Sequence, residues 1–183
     1  MKIGVLIKTT AVDFPSVLAT SVFLTGCNLR CPYCYNKALV TSNLSSEEGV
    51  TFEEIINHLE KRKNVLKGFV ISGGEALLSP HLEPLIRKAK KLGYKIKIDT
   101  NGTLPLLLEK LIQNPELCPD FIAMDVKTSL KKINILMPFC DKPEQIEKMQ
   151  EAIKESIKIL SKFPAEKREF RTVLVPPLVN KTD

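Results

Sequence analysis

Apolar positions along the chain fall into short runs separated by amphipathic stretches. Ile3 to Lys8 alternates apolar and polar residues, the pattern of an N-terminal edge strand. Val17 to Leu24 is a denser apolar run, much of it β-branched and ending in Phe23-Leu24, and it predicts a buried strand feeding a tight loop. Thr9 to Ser16 between them reads as a loop carrying Asp13 and Pro15, and Lys37 to Gly49, with Ser42, Asn43, Ser45 and Ser46, reads as another. Thr51 then offers an N-cap oxygen, and Glu53 and Glu54 place negative charge at the positive end of a helix. Phe52, Ile55, Ile56 and Leu59 recur at helical spacing as far as Lys63.

The alternation of strand and helix continues. Gly68 to Ile71 is a short apolar strand, and Leu82, Leu85, Ile86 and Ala89 mark a helix stopped by Gly93. Tyr94 to Ile98 alternates as a strand, Leu104 to Gln113 is a leucine-rich helix, and Asp120 to Met124 is a strand. Ser129 to Pro143 is irregular, and Cys140 and Met137 there are expected to pack rather than ligate. Glu144 to Lys162 presents Ile146, Met149, Ile153, Ile157 and Leu160 on one helical face. Glu169 to Val175 reads as a last buried strand, with Arg171 set among Phe170, Val173 and Val175, and a loop follows from Pro176 and Pro177. Strands alternating with helices predict an α/β fold with parallel pairing. The expected unit is one domain over 1–183, with five core strands after the N-terminal segment.

A length of 183 residues suits one sizeable core, and 44% hydrophobic with 26% charged residues is ordinary for a globular chain. The first eight residues are too short and too soon interrupted for a signal peptide, and no apolar run approaches membrane-spanning length. A cytoplasmic, reducing location without membrane contact is therefore expected. The net charge of +6 is spread along helices, densest at Lys88, Lys90, Lys91, Lys95 and Lys97 with only Tyr94 interleaved. Such a pattern reads as solvated helix surface rather than as a nucleic-acid face.

The candidate chemistry lies in Cys27-Asn28-Leu29-Arg30-Cys31-Pro32-Tyr33-Cys34. Three thiols within eight residues can face one point, and soft thiolates suit zinc or an iron–sulfur cluster. A cubane cluster takes four cysteine ligands; three leave one iron open to another ligand. Structural zinc wants four ligands, and the other candidates, Cys118, Cys140, His58 and His81, stand singly and far apart. A zinc-stabilised nucleic-acid-binding module remains the alternative of a different class.

The cysteine spacing, with Tyr33 before the last thiol, resembles the signature of the radical S-adenosylmethionine (SAM) superfamily. The flanks Thr10-Ala11-Val12-Asp13-Phe14-Pro15, Phe23-Leu24-Thr25-Gly26 and Tyr35-Asn36 resemble those of glycyl-radical enzyme activating enzymes, such as activators of anaerobic ribonucleotide reductase or pyruvate formate-lyase. That likeness implies a partial (β/α)6 barrel, here expected to end after the fifth core strand, short of the sixth strand and histidine-bearing region of longer relatives. It implies a 4Fe–4S cluster on Cys27, Cys31 and Cys34, with SAM chelating the open iron, and reductive cleavage of SAM to a radical that takes hydrogen from a glycine of a partner enzyme. A flavodoxin or ferredoxin-type reductant is implied with it. Another radical SAM activity, such as 7-carboxy-7-deazaguanine synthase, is the nearest alternative.

By the same resemblance, Ser72-Gly73-Gly74-Glu75 would hold the SAM amino group, a place where glycine lets backbone approach a ligand closely. Asp99-Thr100-Asn101-Gly102 would lie beside it, and Asp125-Val126-Lys127 would bring Lys127 to the ribose or carboxylate. Arg171 would meet the carboxylate, and Tyr33 would line the cofactor site. Asp99, Thr100, Asp125 and the carbonyl of Ala123 are candidates to frame a monovalent cation. Asp13 and Tyr35 would face the substrate. Two departures stand out: Ser16 occupies a place where the family pattern has glycine, and Tyr35 one where it has histidine.

Overall fold

Residues two apart on each strand share a face, and here the two faces differ sharply in chemistry. The computed structural model describes residues 1–41, 44, 48–176 and 178–180. Six strands form one sheet in chain order: β1 (Gly4–Thr10), β2 (Ala19–Leu24), β3 (Gly68–Gly73), β4 (Lys95–Thr100), β5 (Phe121–Asp125) and β6 (Arg168–Arg171). β1 pairs antiparallel with β2, and the later pairings are all parallel. The sheet therefore stays open, with β1 and β6 at its two edges.

Five α-helices are described: α1 (Lys37–Val40), α2 (Phe52–Arg62), α3 (Leu82–Lys91), α4 (Pro105–Gln113) and α5 (Pro143–Lys162). Val22 and Leu24, Phe69 and Ile71, Ile96 and Ile98, and Ile122 and Met124 are buried with Ile55, Leu59, Leu85, Ile86, Leu108 and Leu160 in one core. The helices thus cover one face of the sheet. α2 starts as its sequence dictates: Thr51 and Glu54 make a reciprocal capping box. Gly93, at φ +86°, ends the turn after α3 in the left-handed conformation that glycine takes without steric cost.

The opposite face is mixed. Ser21 pairs with Val70, Val70 with Lys97, and Lys97 with Phe121, so these four lie in one row. The loop between β1 and β2 folds onto this face, where Phe14 packs with Ala19, Val70, Val17 and Phe121. Ser16 in that loop sits at φ +59°, so the backbone keeps a glycine-like turn although serine occupies it.

Four expectations change. The polar stretch after the cysteines contains α1, because Leu39 is buried and nucleates a turn there; Ser42, Asn43, Ser45 and Ser46 lie outside the described residues. The Ser129–Pro143 region holds a 3-10 helix, Leu130–Leu136, anchored by buried Ile133 and Leu136. β1 runs on to Thr10, with a register irregularity after Ile7. The last strand is shorter than expected and not buried: it ends at Arg171, and Phe170 and Val173 are 43% and 59% exposed. An outermost strand has a neighbour on one side only, so its apolar residues stay half in solvent. Pro177 lies outside the described residues.

Candidate active site

Every strand from β2 to β6 runs in the same direction, so their C-terminal ends form one rim. The cysteine loop leaves β2 at that rim. Gly26, at φ +91°, turns the chain, donates from its N–H to the Leu39 carbonyl and accepts from the Glu75 N–H at 2.8 Å. Leu29 is buried as the loop's anchor, and the Arg30 N–H donates to the Leu136 carbonyl at 2.9 Å. The Arg30 guanidinium donates to the carbonyls of Cys27 and Leu29 at 2.6 and 2.8 Å.

Cys27, Cys31 and Cys34 are free and half-buried. Burial pushes the Cys31 thiol up to about 11, with the neighbouring Lys127 charge opposing, and raises Cys27 as well. Both thiols feel the charge of Lys127 and of Cys34. Cys118 precedes β5, at the opposite end of the sheet from the rim, and Cys140 contacts Gln145 at 3.1 Å. His58 lies against the Lys8 carbonyl, and His81 against the Phe52 ring. Among the described residues no three thiol, imidazole or carboxylate groups are disposed as ligands of a single ion.

The end of β3 passes directly behind Cys27. The Gly74 N–H donates to the Leu24 carbonyl at 2.9 Å, and a Cβ on Gly74 would lie 3.0 Å from the Cys27 Cβ and inside the contact distance of the Gly26 carbonyl. Ser72, Gly73 and Gly74 keep partial exposure, but Glu75 is only 1% exposed. Its carboxylate accepts from the Thr100 hydroxyl at 2.8 Å, the Asn101 N–H at 2.7 Å and the Leu77 N–H at 3.1 Å. Glu75 therefore lies beneath the rim and ties the end of β3 to the end of β4, leaving main chain and not its carboxylate to face a ligand.

Along the rim on the mixed face runs an alternating array of charge. Lys97 Nζ donates to Asp99 at 2.5 Å; Arg171 reaches Asp99 at 3.5 Å and Asp125 at 2.9 Å; Lys127 donates to Asp125 at 3.1 Å. Glu169 stands 3.7 Å from Arg171. Burial pulls the Lys127 ammonium and the Arg171 guanidinium down, but facing negative charge, Asp125 with the nearby cysteines for Lys127 and Asp99, Asp125 and Glu169 for Arg171, more than offsets it, and both are held above their ordinary values. The aromatic of the cysteine loop joins this array: the Tyr33 hydroxyl donates to the Lys127 carbonyl at 2.8 Å.

The rim thus gathers the three cysteines, Tyr33, Ser72 to Gly74, Asp99, Asn101, Asp125, Lys127 and Arg171, with Glu75 buried beneath it. The proposed cation frame does not converge. Adjacent strand residues point to opposite faces, so Asp99 meets Lys97 while the Thr100 hydroxyl turns to Glu75. Asp99 and Asp125 already have three basic partners between them, Lys97, Lys127 and the shared Arg171. Asp13 accepts from the Ser21 hydroxyl at 2.6 Å, on the mixed face below the rim, and Tyr35 is fully exposed. A cleft of about 340 Å³ flanks Cys31 and Cys34, edged by Arg30, Lys37, Pro138 and Phe139.

Sequence reasoning missed Lys97, Asn28 and Thr103. The charge pattern reads Lys97 as surface, but its place two residues before Asp99 puts both on one strand face, and it is completely buried. Asn28 and Thr103 bond to each other at 2.8 Å across the rim, a contact without a sequence signal.

A family model described as the radical SAM superfamily matches residues 21–176. A Methanocaldococcus jannaschii protein named as a glycyl-radical enzyme activating enzyme is 33% identical over 97% of this chain and 70% of its own length. A 7-carboxy-7-deazaguanine synthase from Hyperthermus butylicus is 36% identical over 50% of this chain and 38% of its own. The crystal structure of QueE from Escherichia coli shares the fold at a TM-score of 0.50 and 16% identity, over 94% of this chain and 84% of that one. No helix among the described residues is long and apolar enough to cross a membrane.

Proposed function

We propose a role that starts from this premise: the chain belongs to the radical SAM superfamily, whose family model matches residues 21–176. Within that family it activates a glycyl-radical enzyme. The observation that carries the choice is extent: likeness to the named activating enzyme runs over 97% of the chain, whereas likeness to the deazaguanine synthase covers 50%. The deazaguanine reading is the second one, favoured by that partial match.

The donor set fits an iron–sulfur cluster with one open corner. Three soft thiols come from one half-buried loop, with Lys127 close enough to offset thiolate charge, and Gly74 leaves room where a Cβ would crowd Cys27. When bound, a 4Fe–4S cluster and SAM supply the one-electron chemistry that leads to hydrogen abstraction from glycine.

The chain's own residues then bind and orient. Cys27, Cys31 and Cys34 hold the cluster. The main chain of Ser72, Gly73 and Gly74, free of Cβ atoms at two positions, admits the amino end of SAM, with Asp99 and Asn101 beside it. Arg171 and Lys127 hold carboxylate and ribose oxygens, each oriented by Asp125. Tyr33 fixes the cysteine loop over this array. The cleft beside Cys31 and Cys34, with Arg30, Lys37 and exposed Phe139, suits approach by a flavodoxin or ferredoxin-type reductant. Exposed Tyr35 and the loop carrying Asp13 would face the protein substrate.

Anaerobic reconstitution tests the reading. Four irons and four sulfides per chain are expected, with an electron paramagnetic resonance (EPR) spectrum of the reduced protein that changes on adding SAM. A glycyl-radical signal on an added glycyl-radical enzyme from the same organism supports the activase. Turnover of the deazaguanine synthase substrate instead supports the second reading, and a colourless protein holding one zinc overturns both.

A further inference from the structure

Three side chains from two loops close a hydrogen-bonded ring beside Cys27. Asn101 donates from Nδ2 to Asn28 Oδ1 at 3.1 Å, Asn28 donates from Nδ2 to Thr103 Oγ1 at 2.8 Å, and Thr103 Oγ1 donates to Asn101 Oδ1 at 2.6 Å. The Thr103 N–H donates to the same Asn101 oxygen at 3.0 Å. A main-chain N–H can only donate, so it decides which end of the Asn101 amide is oxygen and which is nitrogen. That settles the amide's polarity, while the side-chain bonds to Asn28 Oδ1 and from the Thr103 hydroxyl hold its nitrogen toward the Cys27 sulfur, 3.9 Å away. Each member of the ring donates once and accepts once, so every bond polarises the next and strengthens the donor that faces the sulfur. Asn101 and Thr103 are buried, the Asn101 N–H is held by Glu75, and Asn28 lies over the pair from the cysteine loop.

We propose that Asn28 and Thr103 are positioning residues: they aim the Asn101 amide at the Cys27 sulfur and so raise the reduction potential of the cluster held there. The inference rests on Cys27 being an iron ligand. Hydrogen bonds to ligating sulfur draw charge away from the metal and favour the reduced, more negative state. The Leu29 N–H, 3.4 Å from the same sulfur, supplies a second and fixed donor, which survives when the ring is broken.

The test compares the reconstituted wild-type protein with Asn28→Ala, Thr103→Val and Thr103→Ser. Iron and sulfide are counted per chain, and the midpoint potential is read by EPR-monitored potentiometry. The expected result is full cluster loading, a potential shifted negative in Asn28→Ala and Thr103→Val, and the wild-type potential in Thr103→Ser, which keeps the hydroxyl. If Asn28→Ala loses iron, Thr103→Val carries the comparison, since it removes a hydroxyl at nearly constant shape. Equal potentials in loaded wild type and Thr103→Val overturn the inference and leave the functional reading standing. A wild-type chain that never assembles a cluster overturns the reading beneath it.

Discussion

The Tyr33 hydroxyl donates to the main-chain carbonyl of Lys127 at 2.8 Å, joining positions 94 residues apart. This bond fastens the cysteine loop, which leaves β2, to the end of β5, three strands away in the sheet. Burial pushes the Tyr33 hydroxyl up to about 12, so it remains a donor throughout the working pH range. Tyr33→Phe removes that donor and leaves the carbonyl wanting one. The expected cost is about 1 kcal/mol of apoprotein stability, read by urea unfolding, together with faster iron loss to a chelator from the reconstituted protein. An iron-loss rate equal to wild type would show that the loop is held by other contacts.

Glu75 makes stability depend on pH in an unusual direction. Burial raises its carboxyl from the ordinary 4.5 to about 7, although the Asn101 N–H, Thr100 hydroxyl and Leu77 N–H favour the anion. Between these values the unfolded chain has lost the proton while the folded chain keeps it, so stability falls as pH rises. The gap corresponds to roughly 3 kcal/mol, lost between about pH 4.5 and 7 and flat above. Glu75→Gln cannot titrate, so its unfolding free energy should lack this slope. It should also sit about 1–3 kcal/mol below wild type at pH 5, because the new NH2 group opposes a main-chain donor. Denaturant titrations of both proteins from pH 4.5 to 8 measure slope and offset separately.

Gly74 and Gly73 are glycines for different reasons. Gly73 sits at φ +128° and a Cβ on it would also meet the Leu24 main chain, whereas Gly74 is constrained by space alone: a Cβ there would meet the Gly26 carbonyl and stand 3.0 Å from the Cys27 Cβ. Both obstacles are backbone or rigid, so neither can swing aside. Gly74→Ala should displace the start of the cysteine loop, cost about 1–3 kcal/mol as overpacking does, and leave far-UV circular dichroism unchanged. Iron bound after reconstitution is the decisive measurement, and it should drop to a small fraction of wild type. Full loading would mean that β3 yields instead of the loop.

Much of this site was legible because it follows chain order. Parallel strands joined by helices put every strand's C-terminal end on one rim, so residues just after each apolar run were bound to meet. That logic brings Cys27, Gly73, Asp99 and Asp125 together; Arg171, expected inside the last strand, joins them because β6 ends at it. It failed where side chains choose between faces. Glu75 follows a glycine pair yet turns beneath the rim, because the free N–H of Asn101 and hydroxyl of Thr100 lie there. β6 looked like an interior strand because Phe170 and Val173 are apolar, but periodicity cannot reveal that no described strand lies beyond it. Lys97 was the clearest miss: an alternating strand suggests one solvent face, and here that face is the polar lining of the site.

Lys97 also yields the sharpest stability test. Its side chain is completely buried, and its ammonium donates to Asp99, which keeps 15% side-chain exposure and a second, longer contact with Arg171. Lys97→Met fills similar space but leaves Asp99 with Arg171 alone, so the carboxylate is only partly compensated. Removing one partner of a fully buried pair costs about 3–5 kcal/mol; the residual exposure and Arg171 put this case at the lower end. Asp99→Asn in the Lys97→Met background removes the stranded charge and should recover a large part of the loss. The double variant is then more stable than Lys97→Met, and the coupling between the two positions exceeds about 1 kcal/mol in a urea-unfolding cycle. Simple additivity would mean that Asp99 is neutralised by Arg171 in the folded protein, and that Lys97 is held in place by packing of its methylene stem between Val70 and Phe121, its neighbours in the sheet row.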